Sequence, residues 1–194
     1  MSTTSASRSD IRSTRATGWA PIATGSPRCN RQADLAVYVR ALTEEDREWV
    51  REFIVERWGV ALVVGRGRSW NPVELPGFAA FVEERCMGLV TYEIDGEACE
   101  VVTIDALVEG AGIGTRLLRA VEDAARAEGC GRLQLITTNN NLDALAFYQK
   151  RGFRLVGLVP GAIDEARKLK PSIPHEDSQG LPIRDELHLE LRLG

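Results

Sequence analysis

Along the chain, hydrophobic and polar positions alternate in short segments and recur with helical period in three longer ones. LAVYVR at 35–40 alternates as a short strand. Thr43, followed by Glu44, Glu45 and Asp46, is an N-cap with acids in the first turn, and it predicts a helix whose apolar face is Trp49, Val50, Phe53, Ile54 and Trp58, with Gly59 as its stop. ALVVG (61–65), FAAFVE (78–83), CMGLVTYEI (86–94) and ACEVVTIDALV (98–108) then read as strands of a meander. Asp95-Gly96 marks the last hairpin, Glu84-Arg85 the turn before it, and Asn71-Pro72 with Leu75-Pro76-Gly77 a loop.

The second half changes period. Ile113, Leu117, Leu118, Val121, Ala124 and Ala125 share one face of a helix from about 112 to 128, closed by Gly129. LQLIT (133–137) is a strand, residues 141–151 form a helix ending at Gly152, and FRLVGLV (153–159) is another strand. ELHLELRL (186–193) alternates as a final strand with Leu187, Leu189, Leu191 and Leu193 on one face, and it is read as exposed and able to pair with a second chain. Residues 160–185, with Pro160, Pro171, Pro174 and Pro182, read as one long loop. The fold class is α/β: a mixed, mainly antiparallel sheet flanked by helices.

Composition sharpens the limits of that domain. Residues 1–33 hold eleven Ser or Thr and five Arg without apolar periodicity, and so are expected to be a disordered tail ahead of a domain over 34–194. The tail's five arginines and one acid, Asp10, give +4, so a chain of formal charge −4 leaves −8 on the domain. That sign disfavours a nucleic-acid partner and favours cationic amines. No run of about 18 apolar residues and no secretory apolar core is present, so the expected address is cytoplasmic, without a membrane partner. Cys29, Cys86, Cys99 and Cys130 form no CxxC pair, and His175 and His188 lie far apart, so neither a disulfide framework nor a metal site is expected.

Two segments carry candidate chemistry. In TIDALVEGAGIGTRLL (103–118) a strand runs through Leu107, Val108, Glu109, Gly110, Ala111, Gly112, Ile113, Gly114 and Thr115 directly into a helix. Glycines there let backbone N–H groups turn towards a ligand, and a helix start adds unpaired donors and a positive dipole end, so an anion such as a pyrophosphate is the expected occupant. No GK[ST] follows, which excludes a Walker loop. In TTNNNLDALAFYQKRGF (137–153) the polar side chains from Asn139 to Asn141 stand between a strand and a helix, able to hold an amide-rich ligand, and Tyr148 lies further along that helix.

Together these segments resemble the GCN5-related N-acetyltransferase (GNAT) family, whose cofactor loop has the pattern [RQ]xxGx[GA] and whose next helix carries NxxAxxxYxxxGF. Glu109, Gly112 and Gly114 stand for the first pattern; Asn141, Ala144, Tyr148, Gly152 and Phe153 stand for the second. Glu109 departs from the pattern, removing a side-chain contact to phosphate and leaving the backbone amides to hold it. The resemblance implies a single-domain GNAT fold in which acetyl-CoA lies in a V-shaped cleft, with no metal. It pairs the pantetheine with backbone around Leu107 and Val108, the pyrophosphate with amides of 109–115, and Asn141 with the pantetheine arm. It makes Tyr148 the general acid at the thioester sulfur, and it likens Glu100 to the strand glutamate that serves as base.

A base is useful because an alkyl amine of pKa about 10.4 is neutral at pH 7 only about once in 10^3.4, a cost of roughly 4.6 kcal/mol. The expected function is therefore transfer of acetyl from acetyl-CoA to a primary amine of a small molecule or peptide. Attack is direct in a ternary complex, since neither cofactor segment holds a Cys to carry an acyl group. Two other readings stand beside it: an acyltransferase using a different acyl thioester, and a non-catalytic CoA-binding module.

Overall fold

The computed structural model describes residues 37–194. The tail expected over 1–33, Cys29 and the first two residues of the opening strand lie outside the described residues. In chain order the elements are β1 (Val37–Ala41), α1 (Arg47–Trp58), β2 (Val63–Gly65), β3 (Arg68–Trp70), β4 (Gly77–Val82), β5 (Arg85–Asp95), β6 (Ala98–Ala106), α2 (Ile113–Ala127), β7 (Arg132–Thr138), α3 (Leu142–Gln149), β8 (Arg154–Val159), α4 (Ala162–Leu169) and β9 (Glu186–Arg192). Seven strands form one sheet in the order β1-β4-β5-β6-β7-β9-β8, and β2 and β3 form a separate hairpin. Within the large sheet only β6 and β7 run parallel.

Two layers cover the sheet, and strand alternation decides which residue meets which. On one face, Leu117, Leu118, Val121 and Ala125 of α2 pack on Val90, Cys99, Val101, Leu133 and Leu135, joined by Ala144 and Tyr148 of α3. Each such large apolar side chain removed from water contributes roughly 1.5 to 3 kcal/mol. On the other face, Val50 and Ile54 of α1 pack on Ala79, Phe81 and Leu89. The β2–β3 hairpin covers Val102 through Val63 and Trp70. A layer of Ile163, Ala166, Ile173 and Ile183 then packs on Val64. Glu100 and Val102 therefore point to the α1 and hairpin side, while Cys99 and Val101 point to α2.

Asp46 organises the start of α1, after a 3-10 turn over Glu44–Asp46. Its carboxylate, 6% exposed, accepts from Arg40 at 2.7 and 2.7 Å, from the Thr43 N–H at 2.7 Å, from the Thr43 hydroxyl at 3.0 Å and from Trp49 Nε1 at 2.8 Å. Thr43 thus donates to an acid three residues on and the α-helix proper begins after that acid, which places the start three residues later than a simple Thr43 cap predicts.

Four expectations are corrected. The final strand is not an exposed edge: β9 lies between β7 and β8, and the edge strand at that end of the sheet is β8, with Leu155 and Val156 at 51% and 59% exposure. The 160–185 segment is not one loop, because α4 forms within it. Asp164 and Glu165 stand in its first turn and Arg167 and Lys168 in its last, complementing the helix dipole. The expected strand at 61–65 is the first half of a hairpin whose return strand, Arg68–Trp70, is too short to show a period. The turn between β4 and β5 is Glu83-Glu84, one residue earlier than expected, with Glu83 at φ 54. α4 is anchored from its end by buried Lys170, whose ammonium donates to the carbonyls of Trp58 at 3.3 Å and Leu62 at 3.2 Å.

The hydrogen bonds to Asp46, Arg40 first, hold its carboxyl far below the usual carboxylate range. The stability this contributes is present above the unfolded value near 3.9 and is lost as the pH falls through the folded value. Asp46→Asn should cost about 2 to 3 kcal/mol in urea melts at pH 7. The gap between variant and parent should narrow steadily below about pH 4.

Candidate active site

The parallel pairing of β6 and β7 is brief. Their register runs from Ala98↔Arg132 to Val101↔Leu135 and then stops, although β6 continues to Ala106 and β7 to Thr138. Beyond Val101 the two strands separate, each held by its outer neighbour, β5 or β9. A V opens at their C-terminal ends, and the chain segments that follow both strands meet at its mouth.

After β6 the chain passes through Leu107 and Val108, 44% and 42% exposed, into Gly110 and Gly112 at φ 73 and 74. A Cβ on either glycine would meet nothing within 4 Å, so it is the left-handed backbone, not crowding, that calls for glycine. The Leu107 N–H donates to Met87 O, and the next backbone donor in use is Arg116 N–H, to Gly112 O at 3.1 Å. Among the described residues, the N–H groups from Val108 to Thr115 donate to no backbone acceptor, which leaves a row of donors ending on the start of α2. Gly114 lets α3 come close, since a Cβ there would stand 3.0 Å from the Phe147 ring. Arg151, with its guanidinium over Phe147, donates from Nε and Nη2 to Thr115 Oγ1 at 3.1 and 2.5 Å, placing a cation beside the donor row.

After β7 the three asparagines take different tasks. Asn139 donates to Pro182 O at 2.8 Å and accepts from the N–H groups of Arg184 and Asp185, both at 3.0 Å, pinning the segment before β9 to the end of β7. Asn140 accepts from the Thr138 hydroxyl and donates to Asp177. Asn141 Oδ1 caps α3 by accepting from Ala144 N–H at 3.3 Å, and no protein acceptor takes its amide N–H groups among the described residues. Tyr148 is 7% exposed, lies 5.3 Å from Phe147 and 5.6 Å from Phe153 between ring centroids, and burial pushes its hydroxyl well above the ordinary phenol range.

Glu100 lies at the closed end of the V, on the opposite face from Tyr148, with Gln134 beside it in register. It is 5% exposed. Its Oε2 accepts from Arg66 Nε at 2.9 Å, and its Oε1, buried, has no partner. Burial pushes the carboxyl above its ordinary value, opposed chiefly by the charge and hydrogen bond of Arg66 and less by Arg68. Around it, Glu93 accepts from Trp70 Nε1 at 2.9 Å and is paired with Arg68. Asp105 accepts from Arg57 at 3.0 and 3.1 Å and from Trp58 Nε1 at 3.3 Å. These two carboxylates fasten the hairpin and the end of α1 to the sheet on either side of Val102. Among the described residues no cluster of three or more His, Cys, Asp or Glu is arranged to hold a metal ion.

Known proteins resemble this chain in both sequence and fold. The sequence model of the acetyltransferase (GNAT) family matches residues 40–153. The chain belongs to the GNAT acetyltransferase family. The uncharacterized protein YdhI of Bacillus subtilis (strain 168) is 42% identical over 142 residues, covering 73% of this chain and 89% of its own. Among solved structures, the fold resembles an IAA acetyltransferase from Bacillus cereus ATCC 14579, with TM-score 0.59 and 19% identity over 81% of this chain and 99% of that one. It also resembles yncA, a putative acetyltransferase from Salmonella typhimurium with its cofactor acetyl-CoA, with TM-score 0.58 and 15% identity over 82% and 95%.

Within this GNAT fold the 107–115 segment and Asn141 follow the two diverging strands at the mouth of the V, Tyr148 lies buried in the core on the α2 side, and Glu100 lies in the paired stretch at its base. The neighbours of these candidates that sequence reasoning missed are Arg66, Glu186 and His188, which gather near Glu100, and Arg151, which stands with Thr115. Arg66 and Glu100 are 34 positions apart and Arg66 and His188 are 122, so no spacing rule reaches them. No described helix is long and apolar enough to cross a membrane.

Gly112→Ala tests the donor row. The added Cβ has space but must sit at φ 74, at a cost of roughly 1 to 2 kcal/mol, or turn the row away. The expected result by calorimetry is CoA binding weakened at least about tenfold, or about 1.4 kcal/mol, in a protein that stays folded.

Proposed function

We propose that this GNAT protein transfers the acetyl group of acetyl-CoA to a primary amine of a small molecule or peptide, by direct attack in a ternary complex. The observation that carries the reading is Glu100: a carboxylate buried at the base of the V, anchored through one oxygen, with the other unpartnered. An unmatched buried acceptor costs roughly 1 to 3 kcal/mol, and an N–H arriving from the acceptor amine, or from a water between them, removes that cost.

The residues fit the cosubstrate. The free amides from Val108 to Thr115 and the start of α2 suit a pyrophosphate, with Arg151 supplying a cation that Glu109 does not. The edge of β6 facing the V, continued by Leu107 and Val108, suits an extended amide chain that adds beside it as a strand would. Asn141 has its amide N–H groups left for the same chain, while Asn139 acts by holding the 182–185 segment in place. Because Glu100 and Tyr148 lie on opposite faces, the gap between β6 and β7 is the passage through which both reach one reacting carbon. The cationic acceptor first gives a proton to Glu100; the neutral amine nitrogen then forms its bond to the thioester carbonyl, and its second proton leaves as the tetrahedral intermediate collapses, replacing the one Tyr148 gives up. The carbon–sulfur bond then breaks, and Tyr148, kept protonated by burial, gives its proton to the departing thiolate. The acidic domain favours an acceptor that arrives as a cation.

Glu100 must be ionised to act, so kcat/KM should rise with pH through a carboxyl value above the ordinary one. An amine panel scored by CoA thiol release identifies a working acceptor. With that acceptor, Glu100→Gln should lower kcat/KM by about 10^2 to 10^4 and erase the acid limb. An unaltered profile removes the base assignment, and CoA binding without thiol release for any amine points to a non-catalytic module instead. Tyr148→Phe should lower kcat by at least about tenfold with CoA affinity kept; an unchanged kcat makes Tyr148 a packing residue.

A further inference from the structure

The β2–β3 hairpin turns at Arg66-Gly67, with φ 48 and 71, between the paired residues Gly65 and Arg68. A two-residue turn with both φ positive is the mirror-image type that favours Asn-Gly, and an arginine in its first position is held in a conformation that L side chains avoid. Such strain persists only where the surroundings over-determine it. Here they do. The Arg66 N–H lies 3.2 Å from both oxygens of buried Glu186, and its guanidinium reaches Glu100 Oε2 at 2.9 Å through Nε and His188 Nδ1 at 3.0 Å through Nη1. Gly65, beside the turn, carries no Cβ that would run into Ile136 and Glu186, so the hairpin seats directly on β7 and β9.

This geometry also fixes a proton. A guanidinium only donates, so His188 Nδ1 must accept, and the ring's proton resides on Nε2, from which it donates to Glu186 Oε1 at 2.6 Å. Glu186 in turn accepts from the Arg66 N–H, which closes a ring of hydrogen bonds around one side chain. The guanidinium therefore has one orientation, and it grips Glu100 by Oε2 alone.

We propose that Arg66 is a positioning residue for Glu100: the strained turn aims its guanidinium so that one carboxylate oxygen is held and the other is presented to the acceptor nitrogen or to a water carrying its proton. The proposal rests on the base reading of Glu100 given above. In the transfer step the acceptor's proton leaves nitrogen for Oε1, while the Oε2 to Arg66 bond stays in place and carries the charge change. The groups facing Glu100 are Arg66 and Arg68 from the hairpin, Glu93 from β5, Gln134 from β7, and His188 and Glu186 from β9. Glu93 is occupied by Arg68 and Trp70, and Gln134 is neutral, so Arg66 is the main support of the ionised carboxylate.

The test is Arg66→Asn with Arg66→Lys beside it. R66N gives the turn its preferred Asn-Gly sequence, so the hairpin is retained and melting checks it; R66K keeps the charge without the fork. The readouts are the Glu100 carboxyl carbon titrated by NMR in the protein alone, assigned by difference with Glu100→Gln, and the pH profile of kcat/KM. With R66N the Glu100 titration and the acid limb should both move up by about one pH unit or more. kcat/KM should fall at least about tenfold, KM for acetyl-CoA should be unchanged, and R66K should recover part of each effect. A Glu100 titration that stays in place in a folded R66N overturns the proposal and leaves the base reading to stand or fall by Glu100→Gln. A titration that moves in R66N, with an acid limb that stays in both R66N and Glu100→Gln, overturns the base reading and with it the presentation of Oε1 to the acceptor.

Discussion

Everything at this site depends on two parallel strands that pair for four residues and then part. Up to Val101 and Leu135, β6 and β7 satisfy each other's backbone groups; past that point each has a neighbour on one side only. Parallel strands need a crossover between them, and here the crossover is α2, whose start falls at the mouth of the gap. The divergence thus supplies a free strand edge, a helix N-terminus and a passage between the faces of the sheet in one place.

The two faces are built differently to match. The α2 and α3 side is apolar and closely packed, and Tyr148 is part of that core, which keeps its proton on. The α1 and hairpin side carries carboxylates, and nearly all are engaged: Glu93 with Arg68 and Trp70, Asp105 with Arg57 and Trp58, Glu186 with His188 and the Arg66 N–H. Charge there is neutralised pair by pair, as it must be when it is buried. The exception is one oxygen of Glu100, and an exception inside an otherwise satisfied network is where chemistry is expected.

The β2–β3 hairpin and α4 cover part of that face. Neither could be stable alone: three-residue strands and an eight-residue helix hold because Val63, Trp70 and Val64 bury against β6 and α4, and because Lys170 ties α4 to the end of α1. Arg66 sits at the tip of this assembly, so the strain in its turn is balanced by tertiary contacts rather than by anything local.

Periodicity and glycine placement determined much of this protein from the sequence alone: the meander through 98–106, the helix closed by Gly129, and the run from Leu107 to Thr115 feeding α2. These are local consequences of side-chain alternation and of backbone that only glycine adopts cheaply. Glu100, Asn141 and Tyr148 were legible as candidates only through the likeness of their surroundings to the GNAT motifs, since spacing alone gave none of them a role. What only the tertiary structure decided was pairing and partnership. The place of β9 inside the sheet follows from strand order, which leucine alternation does not encode. Asn139 turned out to fasten a segment more than forty positions away. Arg66, Glu186 and His188 gather around Glu100 through contacts between segments 34 to 122 positions apart, and a hydrogen bond between distant residues leaves no period, cap or spacing in the sequence to read.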